Sequence, residues 1–300
     1  MGCGCKRTAA VRRERGSECT ARDVPLNARM SSELTKEDLE SLTYAKHLLE
    51  HPGMGARIIN LLGTPIEKGF RLLPAGWKGA VQDATRAALE KALRVAVNSL
   101  NDAPRRASSD LLHKLTVAAT GAAGGFFGLA ALPVELPVST IIMLRSIADI
   151  ARSEQEHLDS TEARLACLEV FALGGSTKKD DAAETGYFVV RAALARSISE
   201  AATYVAERGL AQEGAPAIVR FMAQIASRFG IVVSEKVAAE AVPVIGAVGG
   251  AVINTVFIDH FQSMARGHFI VRRLERTYGA EMVKKAYEDI HSEGYGAENR

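Results

Sequence analysis

An all-α fold, a compact multi-helix bundle with a Gly/Ala-rich apolar helical hairpin at its centre, is predicted by three features of this sequence. Alanine and glycine are abundant and aromatics make up 6% of the chain, a composition suited to helices whose backbones approach closely. Apolar residues recur at three- and four-residue spacing through most of the chain, and the only brief run of β character is Ile231-Val232-Val233. Residues 115–144 carry a single ionisable side chain, Glu135, set between Pro133 and Pro137. That stretch reads as a helix, a sharp bend and a second helix. Water tolerates such a surface poorly, so it is expected inside a bundle or against lipid.

The elements follow in order. Thr35-Lys36-Glu37-Asp38 is a capping entry, and Leu39, Leu42, Ala45, Leu48 and Leu49 keep helical spacing up to Pro52-Gly53. Ile58, Ile59, Leu61 and Leu62 form a short run, and Pro65 opens another containing Ile66, Phe70, Leu72 and Leu73. Trp77 reads as a packing anchor ahead of a long helix over residues 78–100. Ser108-Ser109-Asp110 caps the entry to the Gly/Ala segment. After Pro137 a helix is expected over 139–157, and Asp159-Ser160-Thr161-Glu162 begins the next, which Gly174-Gly175 ends. Helices over about 182–208 and 215–229 precede a second apolar stretch, 241–258, that leads into an amphipathic helix to about Tyr278. A short closing helix over 281–291 completes the chain, and 293–300 fray.

Charge divides the chain. Residues 1–29 hold seven Lys/Arg against Glu14, Glu18 and Asp23, which leaves 30 basic and 32 acidic side chains of the total 37 and 35 for the rest. The first 29 residues are expected to be a disordered basic tail, with Met30 as a second plausible start, and 30–292 a single helical domain. A near-neutral body with few aromatics offers neither the phosphate-neutralising stripe nor the stacking platform of a nucleic-acid binder. Cys3, Cys5, Cys19 and Cys167 make no disulfide framework, and Cys3-Gly4-Cys5 has the wrong spacing for a zinc knuckle. A reducing cytosol fits, without a signal-peptide pattern at the start. Met1-Gly2-Cys3 resembles an acylation start, but Lys6 stands where that pattern takes Ser or Thr.

The apolar segments allow three arrangements. Residues 115–132 would reach about 27 Å as a helix, but only 138–144 follow before Arg145, too few to return across a core of about 30 Å. In a bundle, Gly121, Gly124, Gly125 and Gly128 would face Gly246, Gly249 and Gly250 at close approach. In an interfacial wedge, Phe126, Phe127, Leu129 and Leu132 would form the edge that enters lipid. Full insertion is the third arrangement.

Candidate chemical groups are few. Glu135 in an apolar turn must be paired, hydrogen-bonded to helix-terminal N–H groups, or protonated; a cap on the helix after Pro137, neutralisation by Arg145 and proton handling are the readings. Arg145, Asp149, Arg152 and Glu156 are spaced as an intrahelical ion ladder. Asp259, His260 and His268 decorate the last long helix. The histidines lie eight apart, a poor match to the four-residue spacing of a helical metal pair, and no third ligand is evident, so no metal and no cofactor are predicted.

The sequence resembles the EcsC protein family. The matching residues run from Gly124-Gly125-Phe126-Phe127-Gly128 through Pro133-Val134-Glu135-Leu136-Pro137, then Arg145 with Ile147-Ala148-Asp149-Ile150. Further matches are Cys167-Leu168-Glu169-Val170-Phe171 to Gly175, residues 243–254, His260-Phe261 and Ala265-Arg266-Gly267-His268-Phe269. The resemblance spans about residues 35–285. It implies a link to transport, because the family's namesake is encoded beside the subunits of an ABC transporter, and it brings no catalytic residues with it. The expected function is a non-enzymatic, membrane-associated helical protein that assists or regulates a transport or envelope system, peripheral at the inner face of the cell membrane. Its expected partner is a membrane surface or membrane protein. The alternatives are a hydrolase-like enzyme using Glu135, Asp149, His260 and His268, and a homo-oligomerisation module.

Overall fold

The helix starts are set by side chains that accept otherwise unused backbone donors. In the computed structural model, Thr35 Oγ1 accepts from the Asp38 N–H at 3.2 Å and opens α1 (Lys36–Leu49). Ser160 Oγ accepts from Ala163 N–H at 3.1 Å and opens α6 (Thr161–Leu173) in the same way. The structure describes residues 34–50, 54–63, 66–100, 131–175, 186–210, 215–242 and 246–290. Among these the other helices are α2 (Met54–Leu62), α3 (Ile66–Leu72), α4 (Trp77–Ser99), α5 (Leu132–Ser153), α7 (Gly186–Arg208), α8 (Pro216–Glu240), α9 (Gly246–Tyr278) and α10 (Ala280–Asp289). No strand occurs among the described residues, and all of them fall in one unit that starts at Leu34. The all-α prediction holds.

Two helices organise the packing. Helix α9 touches α1, α2, α5, α6, α8 and α10, and α8 touches α2, α3, α4, α6, α7 and α9. Their crossing with α6 is filled by Phe171, Phe229, Phe257 and Phe261, whose ring centroids lie 4.9–6.1 Å apart. Each is fully buried, and burial of such a ring contributes about 1.5–3 kcal/mol. Gly69 lets α3 rest directly on α8: a Cβ there would stand 1.7 Å from the Ala238 carbonyl oxygen. A second, smaller core joins α1, α9 and α10 through Leu42, Ala45, Val271, Leu274, Val283 and Tyr287.

Two expected boundaries are corrected. The Pro133–Pro137 segment is not a bend between helices. Helix α5 starts at Leu132, with Pro133 in its first turn, and runs without a break through Pro137 to Ser153. A proline's fixed φ suits a helix, and Pro137 removes one bond, to the Pro133 carbonyl, close to the helix start where donors and acceptors are least committed. Burial of Glu135, Leu136 and Pro137 holds that turn in place. Likewise Ile231-Val232-Val233 lies within α8, because Val232 and Val233 are buried on its inner face and packing overrides their β preference. The first arm of the hairpin and the basic tail lie outside the described residues.

Candidate functional site

Glu135 is part of a buried ion cluster formed where α5, α8 and α9 meet. Lys236 of α8, with no solvent exposure, donates to both Glu135 oxygens at 2.9 and 3.1 Å and to Glu240 one turn on at 2.7 Å. Asn254 of α9 donates to Glu135 Oε1 at 3.0 Å, and the ammonium stands 5.8 Å from the centre of the Phe257 ring. Burial alone would push the lysine pKa down; Glu240 and then Glu135 outweigh it, so the ammonium is held above its ordinary range. Burial pushes the Glu240 carboxyl up, Lys236 pulls it down, and the neighbouring Glu135 raises it again. The lysine rises because of its two carboxylates, whereas Glu240 rises chiefly because it is buried. Glu135 is therefore paired by Lys236, not by Arg145, whose side chain is exposed.

A second buried polar group joins α6, α7 and α9. The Tyr187 hydroxyl lies 2.9 Å from His268 Nδ1, and His268 Nε2 lies 3.7 Å from Glu169 Oε2, too far for a hydrogen bond. Burial drives Glu169 up to about 7, the guanidinium of Arg191 opposing it. Burial, then Arg191 and Arg272, drives His268 well below its ordinary value. A neutral imidazole is therefore the resident form. The 3.7 Å approach is then not an ion pair, despite the opposite formal charges the two groups could carry. Around this group Arg191 grips Glu275 through two bonds of 2.8 and 2.9 Å. Arg272 holds Glu156 at 2.6 Å, and Arg276 binds the same carboxylate.

The remaining candidates are scattered. His260 lies 2.8 Å from the Gly174 carbonyl through Nε2, and burial brings it down to about 4. Asp259 accepts from Arg57 of α2 at 3.1 Å. Asp149 accepts from Arg152 at 2.9 Å, whereas Glu156 lies beyond the helix end and turns to α9, so the four-residue ladder is only half formed. His260 and His268 thus serve different contacts. Among the described residues no group of three or more His, Cys, Asp or Glu side chains could hold a metal ion. Cys167 is buried, its thiol pushed up to about 12 chiefly by burial.

Of the expected lipid edge, Leu132 is buried in the main core, while Phe126, Phe127 and Leu129 lie outside the described residues. The exposed apolar side chains on this turn of α5 are Val134, 74% accessible, and Val138. Gly249 and Gly250 are buried at the start of α9, and Gly246 begins that helix; Gly121, Gly124, Gly125 and Gly128 lie outside the described residues.

The sequence reading missed three features. Lys236 and Glu240 are spaced i,i+4 inside an apolar run, a signal that was legible. Tyr187, Glu169 and Arg191 had no such signal, because nothing local marks a side chain as buried. The third is the face of α8. It is the one helix among the described residues long and apolar enough to cross a membrane, yet only 33% of its apolar stretch is buried, and Val219 is half exposed. Between α4 and α8 lies a groove of about 670 Å³, floored by Val81, Leu89, Leu93, Ile218, Met222 and Ala226. None of the buried polar residues described above lines it.

A model of the EcsC protein family matches residues 53–274. No curated protein and no solved structure matches the chain. The family match takes in the Glu135–Lys236–Asn254 cluster, the Tyr187–His268–Glu169 group and both walls of the groove.

Proposed function

The chain belongs to the EcsC protein family, and from that premise we propose that it is a non-catalytic helical protein that works on a membrane surface, assisting or regulating a transport or envelope system at the inner face of the cell membrane. The observation that carries this reading is the exposed apolar pair Val219 and Ala223 on α8, at the edge of the α4–α8 groove, on a helix otherwise packed on six others. Its packing within the bundle favours docking on a bilayer over spanning it. Val134 and Val138 on α5 add a second apolar edge. Glu135, Asp259, His260 and His268 each engage a structural partner, in separate places, which favours this reading over hydrolysis.

Flotation of the full chain with vesicles of phosphatidylcholine and phosphatidylglycerol tests it. The parent chain is expected in the floating fraction, and a Val219→Glu/Ala223→Glu variant, altered only at exposed positions, at the bottom of the gradient. A parent chain that never floats overturns the reading.

A further inference from the structure

Along α4, every fourth residue from Lys78 borders the α4–α8 groove: Lys78, Gln82, Arg86, Glu90 and Arg94. Residues four apart are neighbours along one ridge of a helix, so this row rises about 24 Å along α4 as a slowly winding ridge that borders the groove throughout. It carries three cations against one carboxylate. Among the described residues neither Lys78 nor Arg86 takes part in an ion pair, and Lys78 lies 5.9 Å from the centre of the Trp77 ring. Beside the rim the floor is aliphatic: Leu89 of α4 and Ile218 of α8 are almost wholly buried, and Met222 and Ala226 of α8 half so. A cavity of about 670 Å³ falls within the range of about 300–1,000 Å³ common for small-molecule sites.

A long apolar floor beside a cationic rim is complementary to a molecule with an extended hydrocarbon tail and a negative head. A peptide helix would need a broader apolar face. A neutral sterol would leave Lys78 and Arg86 without a counter-charge. We propose that the groove between α4 and α8 seats one acyl chain of an anionic membrane lipid, with the head group against Lys78 and Arg86. This rests on the membrane-surface reading above and names what the surface supplies. Each methylene that leaves water for the floor contributes about 0.8 kcal/mol, so the tail supplies most of the affinity and the rim selects the charge.

The chain's only tryptophan, Trp77, lines the groove and reports on occupancy. The experiment titrates full-length protein with dibromostearate below its micelle concentration, with stearate as the non-quenching control and dibromostearoyl lysophosphatidylcholine as the zwitterionic probe. Saturable quenching of Trp77 by dibromostearate is expected, at least tenfold weaker for the zwitterionic probe. The Lys78→Glu/Arg86→Glu variant is expected to lose at least tenfold in apparent affinity, and Ala223→Phe, which projects a ring from an exposed position of α8 into the groove, to lose quenching. All three positions are exposed, and unchanged circular dichroism verifies folding. If dibromostearate fails to quench, or quenches both variants like the parent, the groove assignment is overturned. Vesicle flotation run in parallel separates the two ideas: flotation without quenching leaves the membrane reading and removes the groove, whereas quenching without flotation does the reverse.

Discussion

Glu169 shows how burial converts one side chain into a pH dependence of the whole fold. Its carboxyl is buried beside His268, within the electrostatic reach of Arg191, Arg272 and Glu275. Because burial raises its pKa to about 7 from 4.5, the folded state keeps a proton there that the unfolded chain releases earlier. Its contribution is thus fully present below about pH 4.5 and is lost as pH rises through about 7. His260, brought down to about 4, has the opposite sense: its contribution is present above about 6.5 and lost as pH falls toward 4. Glu169→Gln isolates the first effect. Measured by urea unfolding between pH 5 and 8, the variant should gain on the parent as pH rises, by up to about 3 kcal/mol, then level off. A constant difference across that range would refute the assignment. None of this was legible in the sequence, where Glu169 stands in a helical run as one member of a family-like motif and nothing marks it as buried. His268 was singled out there, but as half of a histidine pair, since spacing reports which face of a helix a residue occupies and not what lies opposite.

At the scale of elements, the Lys236 cluster ties three helices at one point. Helix α5 contributes Glu135, α8 contributes Lys236 and Glu240, and α9 contributes Asn254. Such a cluster is weak evidence of net stabilisation, since withdrawing charges from water offsets their attraction, but breaking it is costly. Lys236→Met alone should destabilise by about 3–5 kcal/mol by leaving carboxylates buried without a cation. The triple change Glu135→Gln/Lys236→Met/Glu240→Gln should recover most of that loss. Denaturation midpoints decide the matter, and a single variant as stable as the parent would show that the cluster fixes nothing. Most helices were legible in advance, because caps such as Thr35 and Ser160 and the three-to-four spacing are local signals. The start of α5 was not. Two prolines around a carboxylate look like a break until Lys236, a hundred residues on, gives the carboxylate a partner and burial holds the turn helical. The continuation of α8 past Phe229 was hidden for the same reason, its β-branched run being inward-facing only in the folded chain.

At the scale of the molecule, the two ends of the described chain close on each other. Lys46 of α1 is 93% buried and extends its ammonium to the Tyr287 and Ile290 carbonyls at the end of α10, at 2.9 and 2.7 Å. It also lies 5.0 Å from the centre of the Tyr287 ring. A cation on the last carbonyls of a helix satisfies acceptors that the helix cannot and complements its dipole. Near the other end of α1, Asp38 accepts from the Tyr278 hydroxyl at 2.6 Å, a bond that lowers its pKa against the opposing effect of burial. These contacts surround the smaller core of α1, α9 and α10, whereas the groove and the Glu135 cluster sit on the main one. Two cores within one unit can open separately, so the end clasp should define its own cooperative region. Lys46→Met removes both bonds while keeping most of the buried stem, and each bond to a charged donor is worth about 1.5–3 kcal/mol. Hydrogen exchange should then speed up by ten-fold or more in α1 and α10, with α5, α6 and α8 unchanged. Equal acceleration everywhere would mean that the clasp and the main core unfold as one.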